Sequence, residues 1–129
     1  MFSKTKGHQV VLDFIWDENT LNNEDLLLTL FYILKEAIEK TNLMIVEESK
    51  IVLPITPYDS ETGGTIFFQL DSSHVSLHLY YVSRLLAIDV FGCGSNDIKK
   101  VAFEISEKIN ELIPTLKQTF NKSFDRFHH

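Results

Sequence analysis

Apolar residues recur along this chain with two alternating rhythms, a period of two and a period near three and a half, the marks of strand and helix respectively. Gly7 to Trp16 is rich in β-branched and aromatic residues and predicts a strand. A turn-like stretch follows, where Asn22 or Asn23 can cap a helix running to Glu39. Leu27, Leu30, Phe31, Leu34 and Ile38 form that helix's apolar stripe, Glu24 and Asp25 suit its positive end, and Thr41-Asn42 closes it. Leu43 to Leu53 predicts one strand, or two short ones joined by a turn at Glu47 to Lys50. Pro54 to Gly64, with two prolines and a Gly-Gly pair, is a loop of the kind that carries binding residues.

Thr65 to Asp71 and His74 to Val82 continue as strands with Ser72-Ser73 at their junction. Leu85 to Phe91 is almost wholly apolar, which predicts a strand buried on both faces. Asn96 or Asp97 then caps a second helix bearing Ile98, Val101, Ala102, Ile105, Ile109 and Leu112 on one side, and Pro114 interrupts it. In the tail from Thr115 to Phe127, Leu116, Phe120, Phe124 and Phe127 suit a third helix, with a final strand as the alternative. The order predicts an α+β fold in one domain over residues 1–129: a two-layer sandwich, an antiparallel sheet with two helices on one face. A sheet left uncovered on its other face needs a partner. A second copy is the simplest, which predicts a homodimer.

Composition narrows the class. A chain of 129 residues with 44% hydrophobic side chains can bury about two-thirds of its unfolded surface as one soluble domain. A net charge of −6, with scattered lysines and arginines, opposes nucleic-acid binding. The single cysteine excludes an intrachain disulfide and a thiolate-rich zinc site, and suits a reducing compartment. Met1 to Gly7 lacks the apolar core of a signal peptide, and the apolar run Leu26 to Leu34 is too short to span a bilayer. These features predict a cytoplasmic protein with no membrane contact. His128-His129 resemble the end of a purification tag and are left out of any metal argument; no metal site is expected.

The residues with chemical potential cluster between Thr65 and Gly94: His74, His78, the Ser72-Ser73-His74 triplet and Cys93. Hydroxyl, imidazole and thiol are the groups that nucleophilic and acid–base catalysis use. Singly, each has an ordinary explanation: a buried thiol, half-exposed strand histidines, a serine turn. Their mutual spacing resembles that of the bacterial and archaeal S-adenosylmethionine decarboxylase proenzymes. Ser73-His74 matches the family's self-cleavage step. Ser76 and His78 follow three and five residues after Ser73, Cys93 lies twenty after it, and Thr65 stands eight before it, where the family has a serine. Asp89-Val-Phe-Gly-Cys-Gly94 looks like the family's Asp-x-Phe-x-Cys-Gly segment.

The resemblance, extending over roughly Gly7 to Leu112, implies a pyruvoyl-dependent carboxy-lyase acting on S-adenosylmethionine in spermidine synthesis. Ser73 would be the precursor of the pyruvoyl cofactor. Its hydroxyl attacks the Ser72 carbonyl, helped by a strained peptide unit and by a hydroxyl donor at Thr65. His78 would remove the Ser73 α-proton to break the resulting ester, and hydrolysis leaves a pyruvoyl group. That ketone takes the substrate amine as a Schiff base, and Cys93 would return a proton to the substrate. Asp89 is expected to be structural.

Two further departures from the family matter. Ser72 stands where the family has glutamate before the cleaved serine. The family's His-Thr-Trp-Pro-Glu, whose glutamate is associated with the substrate ribose, is replaced by His78-Leu-Tyr-Tyr-Val82. Tyr80 keeps an aromatic ring, Tyr58 is a candidate for stacking, and Glu61 or Asp59 is the expected substitute for the missing carboxylate. Val82 also leaves open a smaller substrate, ornithine or arginine. A non-catalytic homologue that acts by pairing with another protein is the remaining alternative.

Overall fold

Alternation along β1 (Gly7–Ile15) buries Val10, Leu12 and Phe14 on one face and leaves Gln9, Val11 and Asp13 half-buried on the other. The computed structural model describes residues 7–55, 61–93 and 95–127. After β1 come α1 (Asn23–Glu39), β2 (Ile45–Leu53), β3 (Gly63–Leu70), β4 (His74–Tyr80), β5 (Leu85–Gly92), α2 (Ser95–Leu112) and β6 (Lys117–Arg126). The strands form one antiparallel sheet in the order β2-β3-β4-β5-β1-β6. Both helices pack on the face that carries Leu12, Phe68, Leu77 and Ile88, which makes the predicted two-layer α+β sandwich. No helix among the described residues is long and apolar enough to cross a membrane.

Asn22 is the cap of α1, its side-chain oxygen accepting from Asp25 N at 2.8 Å. Leu27, Leu30, Leu34 and Ile38 are fully buried beneath that helix, and Ile98, Val101, Ile105 and Ile109 beneath α2. Lys40, just past α1, pairs with Glu104 of α2; the hydrogen-bonded ammonium holds the Glu104 carboxyl below the usual carboxylate range.

Three expectations change. The tail is an edge strand, β6, rather than a helix. Phe120 and Phe124 are four apart, a spacing that fits a helical face and, being even, a strand face equally well. Opposite Asp13 and Gln9, both fall on the open face of the sheet. The outer edge of β1 offers unpaired backbone groups, and a strand satisfies them where a third helix would not. Second, β5 is buried on one face only, because Ala87, Asp89 and Phe91 lie half-buried on the side that no helix covers. Third, α2 begins at Ser95, so Asn96 and Asp97 lie within its first turn instead of capping it. Of the two readings of Leu43 to Leu53, the single strand holds: β2 runs from Ile45 to Leu53 with a register shift between Ile45 and Glu47 and no internal turn.

The start of β3 is crowded. A Cβ on Gly63 would lie 1.9 Å from the Leu79 carbonyl oxygen, a backbone atom that cannot swing aside. Gly63→Ala is therefore expected to destabilise the fold by about 1–3 kcal/mol. Thermal denaturation checks this, and an unchanged midpoint would contradict the strand spacing described.

Candidate functional site

The β3–β4 hairpin closes through Leu70 N donating to Ser73 O at 2.9 Å, which leaves Asp71-Ser72 as a two-residue turn. The Ser72–Ser73 bond therefore sits at the tip of a hairpin between two sheet-bound strands. Ser73 is buried. Its Oγ lies against Gly92 at the end of β5, and Ser72 Oγ shares a hydrogen bond of 3.3 Å with the exposed Cys93 Sγ. Among the described non-glycine residues only Arg84 and Phe127 have positive φ, so the expected strain does not take that form at this turn.

The second group of candidates lies at the other end of the hairpin. Thr65 and His78 are direct cross-strand partners, and Thr65 Oγ1 shares a 3.1 Å hydrogen bond with His78 Nδ1. When that nitrogen carries the proton and donates, Nε2 keeps a free lone pair for proton abstraction. These two residues line a cleft of about 130 Å³ together with Leu53, Glu61, Gly64, Leu79 and Tyr80.

Glu61 is fixed rather than trailing into solvent. Its carboxylate accepts from Ser83 Oγ at 2.6 Å and from Ser83 N at 3.2 Å, next to Val82 in the β4–β5 turn. Tyr81 N donates to Thr62 O and Asn23 Nδ2 to Gly63 O, each at 2.9 Å, so the segment behind Glu61 is anchored on both sides. Tyr58 and Asp59 lie outside the described residues.

One protomer does not bring the two groups together. His78 lies five residue steps of extended chain beyond Ser73, about 16 Å at strand rise. They also face opposite ways: Ser73 continues the buried series Val75, Leu77 and Leu79, whereas His78 is exposed on the open face with His74 and Ser76. His74 is stacked between Phe67 and Phe91, with ring centroids 5.7 and 5.5 Å away, as part of that face. Asp89 accepts from Gln9 Nε2 at 3.1 Å, a cross-strand structural bond, and His8 pairs with Asp125 across β1 and β6 at 2.7 Å.

Three contacts at these sites were not read from the chain: Gly92 against Ser73, Ser83 on Glu61, and Ser72 on Cys93. The first two depend on which turn end meets which, and periodicity carries no such information. The family-like spacing of Cys93 was the only pointer to the third.

Comparison with known proteins gives a consistent picture. Residues 8–118 match the family model described as S-adenosylmethionine decarboxylase. The S-adenosylmethionine decarboxylase proenzyme of Pyrobaculum aerophilum is 30% identical over 106 residues, covering 81% of this chain and 75% of that protein. The corresponding proenzyme of Pyrobaculum arsenaticum is 32% identical over 97 residues, covering 73% and 70%. The crystal structure of the adenosylmethionine decarboxylase from Aquifex aeolicus superimposes with a TM-score of 0.63 at 18% identity, covering 98% of this chain and 92% of that one.

Proposed function

The chain belongs to the S-adenosylmethionine decarboxylase family, and on that premise we propose that it is a pyruvoyl-dependent decarboxylase of S-adenosylmethionine, working in the cytoplasm in polyamine synthesis. It matures by cutting itself between Ser72 and Ser73. The observation that carries this reading is the hairpin tip itself: Ser73 buried with its hydroxyl beside Gly92, and Cys93 in contact with the residue on the other side of the bond.

Maturation follows from the groups present. Ser73 Oγ attacks the Ser72 carbonyl carbon, the C–N bond breaks and the proton passes to the Ser73 nitrogen, so an amide becomes an ester. A hydroxyl such as that of Thr65 stabilises the developing oxyanion. His78 removes the Ser73 α-proton, the Ser72 carboxylate leaves, and water replaces ammonia to give the ketone. A pyruvoyl ketone supplies the electron sink that decarboxylation of an α-amino acid needs. Cys93 gives the proton that replaces CO2 on the substrate α-carbon. Cys93→Ala should accordingly retain at least part of the self-cleavage while losing most decarboxylation. Full CO2 release from that variant would remove the thiol from the reaction.

Thr65 and His78 are too far from the Ser73 of their own chain to do this work, which leads to a homodimer. The open face carries Phe67, Tyr80, Leu85, Ile15, Phe120 and Ile51, each more than a third exposed, an apolar surface suited to a second copy. A two-fold axis that lays one open face on the other with strands reversed sets each hairpin tip over the partner's Thr65–His78 cleft. Stacked sheets lie about 10 Å apart, so the partner's His78 and Thr65 approach the backbone of the hairpin tip, while the Ser73 hydroxyl stays on the helix side of its own sheet.

In this arrangement Glu61 and Tyr80, which line the Thr65–His78 cleft, contact the substrate, and Tyr58 is a further candidate on the sequence alone. The anchoring of Glu61 beside Val82 supports it as the acceptor for ribose hydroxyls. Leaving a buried hydroxyl unpaired costs about 1–3 kcal/mol, so Glu61→Ala should weaken use of the nucleoside substrate by roughly one to two factors of ten. The test is release of labelled CO2 from carboxyl-labelled S-adenosylmethionine, ornithine and arginine. Release from S-adenosylmethionine, reduced in Glu61→Ala, is expected. Release from ornithine or arginine alone would replace the substrate proposed.

A further inference from the structure

The end of β5 bears on the cleavage turn in a way that depends on an absent side chain. A Cβ placed on Gly92 would stand 2.5 Å from Ser73 Oγ and 2.5 Å from Ile98 Cδ1. No described glycine has positive φ, so Gly92 is not there to give the backbone a conformation closed to other residues. What its missing side chain supplies is space, and Ser73 Oγ fills part of that space. The next residue, Cys93, holds Ser72 Oγ. The two residues flanking the scissile bond are thus both touched by consecutive residues of one strand end.

We infer that Gly92 is a positioning residue for self-cleavage: the slot left by its missing Cβ sets the orientation of the Ser73 hydroxyl. This inference rests on the self-cleavage reading above. The chemistry makes orientation decisive. Closing the five-membered ring from Ser73 Oγ to the Ser72 carbonyl carbon requires the hydroxyl to be gauche to its own nitrogen, and the anti rotamer cannot reach. A buried hydroxyl in a fitted slot stays in one well, whereas a methyl at position 92 pushes it into others. Attack geometry is unforgiving, a misplacement of about 1 Å costing on the order of a hundredfold in rate.

Gly92→Ala alone would also press on Ile98, so the test uses Ile98→Val as its background, which removes the 2.5 Å contact to Cδ1 and leaves only the 3.0 Å contact to Cγ1. Self-cleavage is followed by gel mobility and intact mass from expression onward. Ile98→Val should mature like the wild type. Gly92→Ala in that background should mature roughly ten- to a hundredfold more slowly. Its uncut chain should resist mild hydroxylamine, because it stalls before the ester forms, whereas uncut His78→Ala should split with hydroxylamine. A stability cycle covers poor folding: Gly92→Ala should lower the melting midpoint less when Ser73 is already alanine, since the clashing hydroxyl is gone. Equal rates in the two Ile98→Val proteins, a hydroxylamine-labile ester in the Gly92→Ala protein, or equal midpoint losses in the cycle would each overturn the role of Gly92. Wild-type protein that never cuts itself would overturn the self-cleavage reading and this inference together.

Discussion

Ser73→Ala is expected to remain a single uncut chain of 129 residues with no measurable release of CO2. The effect is total because one hydroxyl serves twice, as the nucleophile that breaks the Ser72–Ser73 bond and as the source of the ketone. Alanine removes that hydroxyl from a buried position without adding volume, so the hairpin and sheet should persist. A folded, uncut, inactive protein is then a statement about chemistry and not about stability. Matched melting curves would establish the folding, and mass spectrometry the absence of cleavage. Scission at the same bond in Ser73→Ala would show that some other group breaks it.

The second large effect concerns two chains together. Ser73 and Cys93 lie at one end of the hairpin and Thr65 and His78 at the other, so an active centre shared across the two-fold should be divisible between mutants. Alone, Ser73→Ala cannot start cleavage, and His78→Ala should stall as an ester. Co-expressed, they form mixed dimers in which one centre has an intact Ser73 from the His78→Ala chain and an intact His78 from the Ser73→Ala chain. In those dimers the His78→Ala chain should be cut and the Ser73→Ala chain should not. CO2 release should reappear from near zero, at one centre per mixed dimer. Distinguishable tags on the two chains make the readout direct. If neither chain is cut although mixed dimers form, each protomer builds its own site and the separation in the fold has been misinterpreted.

Much of this was legible in the sequence because the signals were local. The stripe Leu27, Leu30, Leu34, Ile38 could belong only to a helix, and the alternation through Val75, Leu77 and Leu79 only to a strand with one buried face. The β6 segment was ambiguous because Phe120 and Phe124 satisfy both periods, and the vacant edge of β1 decided the matter. Spacing also brought Ser73, His78, Cys93 and Thr65 into one list. It could not say that Ser73, just ahead of β4, and His78, towards its far end, lie well apart and on opposite faces, because that follows from the strand's rise and pleat once its register is known. Likewise Glu61 was one of two acidic residues in a loop until Ser83 was seen to hold it. The value of Gly92 lies in what is missing, and only the neighbouring atoms reveal it.

The central claim, self-cleavage at Ser72–Ser73, is tested most directly by the intact mass of the purified wild-type protein. Two fragments are predicted, residues 1–72 and a blocked 73–129, whose masses sum to the uncut chain plus one water less one ammonia. A single species at 14.9 kDa that persists on long incubation would contradict it, and would leave a homologue that acts by pairing rather than by chemistry.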